Sequence, residues 1–203
     1  MLVMMWIGLT GGIATGKSTV SKILRARGYP VVDADQLARE VVQPESDAFT
    51  EIVSAFGTSV IDEGRGLNRK ALGHLVFSDP KNLDLLESII HPRVKDLAAQ
   101  KRTALAQANS PMAFYDVPLL FEKNMAQQFD FVVVVTCSPE VQIQRLISRD
   151  GFSKQEALRR IAAQLPLSEK ENQADIVIRN DSSLASLETQ LETFLARLYH
   201  AQT

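Results

Sequence analysis

The sequence predicts an α/β fold in which helices cover both faces of a five-stranded parallel sheet. Three observations carry the prediction. Apolar runs of strand length recur five times and are continuous rather than alternating, the pattern of strands buried on both faces. Stretches with helical spacing separate these runs. A glycine-rich turn joins the first run to the first helical stretch, the strand–turn–helix succession of ligand-binding α/β domains.

In chain order, strands are expected at VMMWIGLT (Val3 to Thr10), YPVVDA (Tyr29 to Ala34), MAFYDV (Met112 to Val117), FDFVVVVT (Phe129 to Thr136) and DIVIRN (Asp175 to Asn180). The last is short but flanked by turn formers. A helix is expected from Lys17 to Arg27, ended by Gly28 as the residue after the cap. Another opens at Ser138-Pro139, where proline suits the first turn, and runs to Arg149. A third, from Ser183 to Gln202, carries leucines at 184, 187, 191, 195 and 198 as a stripe to pack on the sheet.

Two helical elaborations interrupt the alternation. Residues 35–110 read as helices with turn signals at Pro44, Gly57, 62–66 and Asp79-Pro80, and residues 151–173 read as a charged helical hairpin of little apolar content. The expectation is one domain over 1–203, with a core of 1–34, 111–150 and 174–203. Both elaborations would lie over the carboxyl edge of the sheet, where such folds bind ligands.

Composition narrows the function. The 203 residues suffice for one core, and 45% hydrophobic with 23% charged residues is ordinary for a globular chain. A net charge of −2 leaves no basic footprint for nucleic acid and no polybasic run for a membrane. No apolar stretch reaches the roughly 18 residues a bilayer requires. The start, MLVMMWIGLTGG, lacks a basic n-region and leads straight into the glycine turn, so it reads as a strand and not a signal peptide. The single Cys137, inside an apolar run, reads as a buried thiol. One cysteine forms no internal disulfide, which points to a reducing cytoplasm, and no apolar stripe calls for a partner, which points to a monomer.

Gly11, Gly12, Ile13, Ala14, Thr15, Gly16, Lys17 and Ser18 spell G-x-x-x-x-G-K-S, followed by Thr19. The glycines let successive amides turn inward as an anion cradle, and the helix beginning at Lys17 adds its positive end. Lys17 would reach the β- and γ-phosphates, and the Ser18 hydroxyl would ligate Mg²⁺. Nucleotide binding follows. A GTPase switch does not, since no asparagine is followed by lysine in a guanine-reading N-K-x-D. The compact build and the charged hairpin instead suit a small-molecule kinase, which must exclude water beneath a lid.

A kinase needs a group that takes the acceptor's proton. Asp33 and Asp35, at the end of the second strand, are candidates. Asp35 is equally suited to capping the helix QLAREVV.

At this point a resemblance covers essentially the whole chain. LTGGIATGKST, VVDADQLAREVV, HPRV, VPLLFE and RRIAAQ, in this order and spacing, resemble the dephospho-coenzyme A kinase family. The resemblance implies a three-layer P-loop kinase fold with strand order 2-3-1-4-5. It also implies transfer of the γ-phosphate of ATP to the ribose 3′-hydroxyl of dephospho-CoA, with Asp33 as general base and 35–110 as the substrate-binding region.

Other candidates are weighed beside it. Arg145 and Arg149 share a helix face at the root of the lid, and Arg159 and Arg160 lie within it; guanidinium forks suit phosphoryl oxygens, and a solvated charged face is the alternative. Gln164 ends RRIAAQ and would help close the lid. Asp116 resembles an acid that reaches Mg²⁺ through water, with strand-end capping as the alternative. Pro118, Leu119 and Leu120 read as a wall of the acceptor pocket and Glu122 as a polar group near it. His91 reads as a turn-packing residue or a substrate contact, Arg69 and Arg93 as diphosphate contacts or surface charge, and Asn180 as a flank of the adenine or a turn residue. His74 and His200 lack partners that would make a zinc site. A kinase for another nucleoside and a non-catalytic nucleotide-binding protein stay open at this stage.

Overall fold

A computed structural model describes residues 4–201, and no side chain is described for 200 and 201. Val3, Gln202 and the side chain of His200 therefore lie outside the described residues. The described residues form two compact units, one of 4–31 with 105–201 and one of 32–104.

In the first unit, β1 (Met5–Gly11) runs through the middle of the sheet and is buried along its whole length. It pairs in parallel with β3 (Met112–Asp116), Ile7 opposite Phe114, and with β4 (Phe131–Thr136), Leu9 opposite Val133. β5 (Ile176–Arg179) extends the sheet from β4, Val135 opposite Ile178. With β2 (Val31–Asp33), of which only Val31 falls in the first unit, the strand order is 2-3-1-4-5, the expected topology. The short polar ends of the strands are used too. The Asp130 and Asp175 carboxylates accept the Trp6 and Val132 amides, each at 2.7 Å, so amides at the start of β1 and β4 are not left unpaired.

Helix α1 (Lys17–Ala26) ends before Gly28, whose φ of +84° is the left-handed conformation a glycine supplies without strain. Its Val20 and Leu24 meet Leu187, Leu191 and Leu198 of the last helix and the sheet's Phe114 and Val133 in one core. Leu187, Leu191, Leu195 and Leu198 of the stripe read from the sequence make that contact, whereas Leu184, at the first position of the last helix, is exposed and stays outside the core.

The second unit is helical: α2 (Ala34–Glu40), α3 (Asp47–Phe56), α4 (Arg69–Ser78) and most of α5 (Pro80–Gln107). It has its own core, built on Val42, Ile52, Val60, Leu72, Val76 and Ile89. Side-chain caps fix the starts, Ser46 accepting the Phe49 amide and Asn68 the Ala71 amide. Asp33 caps α2 by accepting the Gln36 amide at 3.0 Å, whereas Asp35 is the second residue of the helix. The cap is two residues earlier than the sequence suggested, because the strand gives way to helix without a loop. HPRV is also not a turn. α5 continues through Pro92, which is exposed, so the carbonyl left without its amide partner can be solvated.

Back in the first unit, α6 (Pro139–Asp150) has proline in its first turn and Gly151 at φ +70° after its last. α7 (Lys154–Ala162) starts with a full capping box, Ser153 with Glu156, and α8 (Leu167–Gln173) follows after a short connection. α9 (Leu184–Ala201) closes the chain's described part. Among the described residues no helix is long and apolar enough to cross a membrane.

Candidate active site

The loop Gly11–Ser18 links β1 to α1 as the strand–turn–helix reading requires. Two of its glycines are forced by space. A Cβ on Gly11 would stand 2.5 Å from the Val135 carbonyl oxygen, and one on Gly16, at φ +96°, would stand 2.0 Å from Asn180 Nδ2. Ala14 takes the left-handed region at φ 59° without a glycine's freedom, a cost the surrounding contacts must hold in place.

Those contacts are side chains bound to the loop's carbonyls. Lys170 Nζ reaches Gly11 O at 3.4 Å and Gln142 Nε2 donates to Ile13 O at 2.6 Å. Arg145 donates to Thr15 O at 3.2 Å and Ala14 O at 3.4 Å, and Asn180 Nδ2 to Thr15 O at 2.9 Å. With these carbonyls engaged, most of the loop's amides are left to face an anion, although the Thr15 amide donates to Gly12 O at 3.3 Å and the Ile13 amide to the Gln164 side chain at 2.8 Å.

Lys17, on the first turn of α1, forms an ion pair with Asp116 at the end of β3. One turn on, Ser21 Oγ donates to the other carboxylate oxygen of Asp116 at 2.6 Å. Asp116 is 3% exposed and Ser21 1%, so the carboxylate is held from both sides in an interior where a lone charge would be costly. A cavity of about 580 Å³ opens over the loop, lined by Ile13, Lys17, Ser18, Thr19, Pro118, Arg149 and Gln164 among others. That size suits a nucleotide. Ser18 is exposed in it.

No cluster of three or more His, Cys, Asp or Glu that could hold a metal occurs among the described residues. A hydroxyl in the cavity with one buried carboxylate behind the loop is the donor set of Mg²⁺ held mainly by phosphate oxygens and water, so the residues fit that ion.

A sequence model of the family described as Dephospho-CoA kinase matches residues 5–186. The chain belongs to the dephospho-CoA kinase family. It is 43% identical over 191 residues to the Dephospho-CoA kinase of Listeria innocua, covering 94% of this chain and 96% of that one. The Anaeromyxobacter dehalogenans protein of the same description is 50% identical over 193 residues, 95% and 91% of the two chains. A Thermus thermophilus crystal structure superposes with a TM-score of 0.81 at 38% identity, covering 97% of this chain and 98% of that chain. The dephospho-CoA kinase of Campylobacter jejuni gives 0.75 at 25%, covering 98% of each. A shikimate kinase from Acinetobacter baumannii, 14% identical at a TM-score of 0.52 over 98% of this chain and 96% of its own, shares the fold alone. The chain is thus a kinase of the last step of CoA biosynthesis.

Several residues that the sequence singled out as candidates are occupied differently from expectation. Arg145 spends its guanidinium on main-chain oxygens, including Asn180 O at 2.8 Å, and so braces the loop. Asn180 likewise turns its amide to Thr15, although both residues border the cavity. Arg149 borders it as well but is paired with Asp150 through Nε at 2.9 Å and Nη2 at 2.8 Å. Arg160 lies 4.1 Å over the Phe152 ring and is not among the residues lining the cavity. Pro118 lines the cavity and Leu119 is exposed, but Leu120 is fully buried, where a Cβ on Gly8 would touch it. It is core and not a wall.

Glu122 accepts hydrogen bonds from Lys170 Nζ at 2.7 Å and the Leu165 amide at 3.1 Å. Burial pushes its carboxyl up, but the Lys170 hydrogen bond leads the opposing contributions and the net shift is downward. In the second unit, Arg69 shares a hollow of about 510 Å³ with Lys70, His74 and Phe77. Arg93 pairs with Glu51 at 2.7 Å, and His91 is exposed on α5 beside Glu87 at 3.8 Å.

Sequence reading missed Gln142, Ser21 and Lys170. Gln142 had a signal, standing three residues before Arg145 on one helix face. Ser21 stands one turn beyond Lys17. Lys170 had none, because a lysine in KEN-type sequence reads as solvated and this one is fully buried.

Proposed function

We propose that the cavity over the loop takes ATP, and that Asp33 acts as general base toward the ribose 3′-hydroxyl of dephospho-CoA. The observation that supports this most is the Lys17–Asp116–Ser21 arrangement beside the cradle, which aims a held ammonium where a transferring phosphate would lie. In the step, the acceptor oxygen bonds to the γ-phosphorus as the bond to the β-phosphate oxygen breaks. The hydroxyl proton passes to the Asp33 carboxylate, and ADP leaves. Asp33 ends a strand at the carboxyl edge of the sheet, the edge at which such folds bind ligands.

Lys17 and the loop amides would carry the growing charge, with Arg149 joining them after leaving Asp150. Ser18 would hold Mg²⁺, with Asp116 reaching it through water; bound there, the ion neutralises phosphate charge. The 32–104 unit would bind the acceptor, using Asp35, Arg69 and His91, with Pro118, Leu119 and Glu122 contributed by the segment after β3. α7 and α8 would serve as the lid. The working protein would be a cytoplasmic monomer.

Release of ADP is to be measured with ATP alone, with dephospho-CoA, and with a panel of nucleosides. Acceptor-dependent release only with dephospho-CoA is the expected result. Asp33→Asn should keep ATP affinity and lose turnover by about 10²–10⁴-fold, the range of general base catalysis. Unchanged turnover would remove Asp33 from the step.

A further inference from the structure

We infer that Gln164 is a contact for the terminal phosphate of the donor, its carboxamide seated on one amide of the loop and offering its NH2 to the phosphoryl oxygens. Gln164 follows α7 and lines the same cavity as Ile13 and Lys17. It accepts the Ile13 amide through Oε1 at 2.8 Å.

This contact differs in kind from the others on the loop. Lys170, Gln142, Arg145 and Asn180 all bind carbonyls, and bracing the main chain accounts for them. Among the described residues, Gln164 is the one side chain that binds an amide of the cradle. An amide hydrogen can only be donated, so the carboxamide oxygen must face Ile13 and the NH2 group lies on the other side. That Nε2 has no hydrogen-bond partner among the described residues. A carboxamide is the side chain suited to this relay, since it accepts and donates at once; Glu would add a charge against phosphate and Leu would do neither.

Position supports the same reading. The next residue, Leu165, donates its amide to Glu122, which is in turn held by the buried Lys170. The main chain on the C-terminal side of Gln164 is therefore anchored, while the candidate arginines are engaged elsewhere, Arg149 on Asp150 and Arg160 on Phe152. Gln164 is the donor already in place.

The inference rests on the proposed donor site but not on the acceptor, and its test separates the two. Calorimetric affinities for Mg²⁺-ADP and the Mg²⁺ complex of the β,γ-imido analogue of ATP are compared in the wild-type chain, Gln164→Ala and Gln164→Glu. Loss of one hydrogen bond to a charged oxygen should weaken the triphosphate analogue by about tenfold or more and leave ADP within about twofold. Gln164→Glu, nearly equal in size, should weaken the analogue further and serves if the alanine variant is unstable. Equal weakening of both nucleotides, or no selective weakening of the analogue, overturns the inference. A chain that shows the selective loss but no dephospho-CoA-dependent ADP release would retain the inference and lose the proposed reaction.

Discussion

Gly16 shows how narrowly a single residue can be determined. Its φ of +96° disfavours any side chain, and a methyl there would meet the Asn180 amide nitrogen at 2.0 Å. The substitution Gly16→Ala combines about 1–3 kcal/mol of backbone strain with displacement of a brace from Thr15. It should cost nucleotide affinity about tenfold or more by calorimetry, with a smaller drop in thermal stability, since loop strain does not reach the core. Cys137 is the opposite case. Burial raises its thiol and packing explains it fully, as its place in an apolar run implied.

At the scale of elements, amphipathic stripes were legible and charged segments were not. The α9 leucines announced a packed face, and Leu191 is fully buried against the sheet and α1. Leu191→Ala should destabilise the chain by about 2–5 kcal/mol in urea unfolding, the usual cost of a large-to-small change in a closed core. By contrast, α8 carries Leu167, Glu169, Lys170 and Glu171, a composition that reads as surface, yet Lys170 is its most buried side chain. Its long stem crosses the interior to bring the ammonium to Glu122 and Gly11, a meeting of residues far apart in sequence that no local pattern encodes. HPRV failed as a turn for a related reason: proline forbids an amide bond but not a helix, and the outcome depends on which side of α5 faces water.

For the molecule as a whole, the Lys170–Glu122 pair joins three segments of the first unit, the loop, the stretch after β3 and α8. Because the folded Glu122 has a pKa below its ordinary 4.5, its contribution is present above that value and is lost as pH falls through the lower, folded one. Removing Lys170 alone would strand a half-buried carboxylate whose buried Oε2 already has no hydrogen-bond partner. The double change Lys170→Met with Glu122→Leu is the better probe. It should fold with stability near the wild type at neutral pH and lose part of the fall in stability below pH ~4.5. An acid titration by circular dichroism with the wild-type slope in both proteins would show that the pair does not carry the acid response.

The sequence by itself determined the sheet, its two kinds of elaboration, the phosphate loop and the family. Each rests on short-range signals: apolar periodicity, glycine where the backbone needs it, and a fixed run of residues between strand and helix. Only the tertiary structure decided that Arg145 and Asn180 brace the loop and that Asp116 is clasped by Lys17 and Ser21. Only it decided that Gln164 sits on an amide of the cradle. Those are hydrogen bonds between distant residues, and their choice of partner follows from distance and burial, quantities that exist only once the chain has folded.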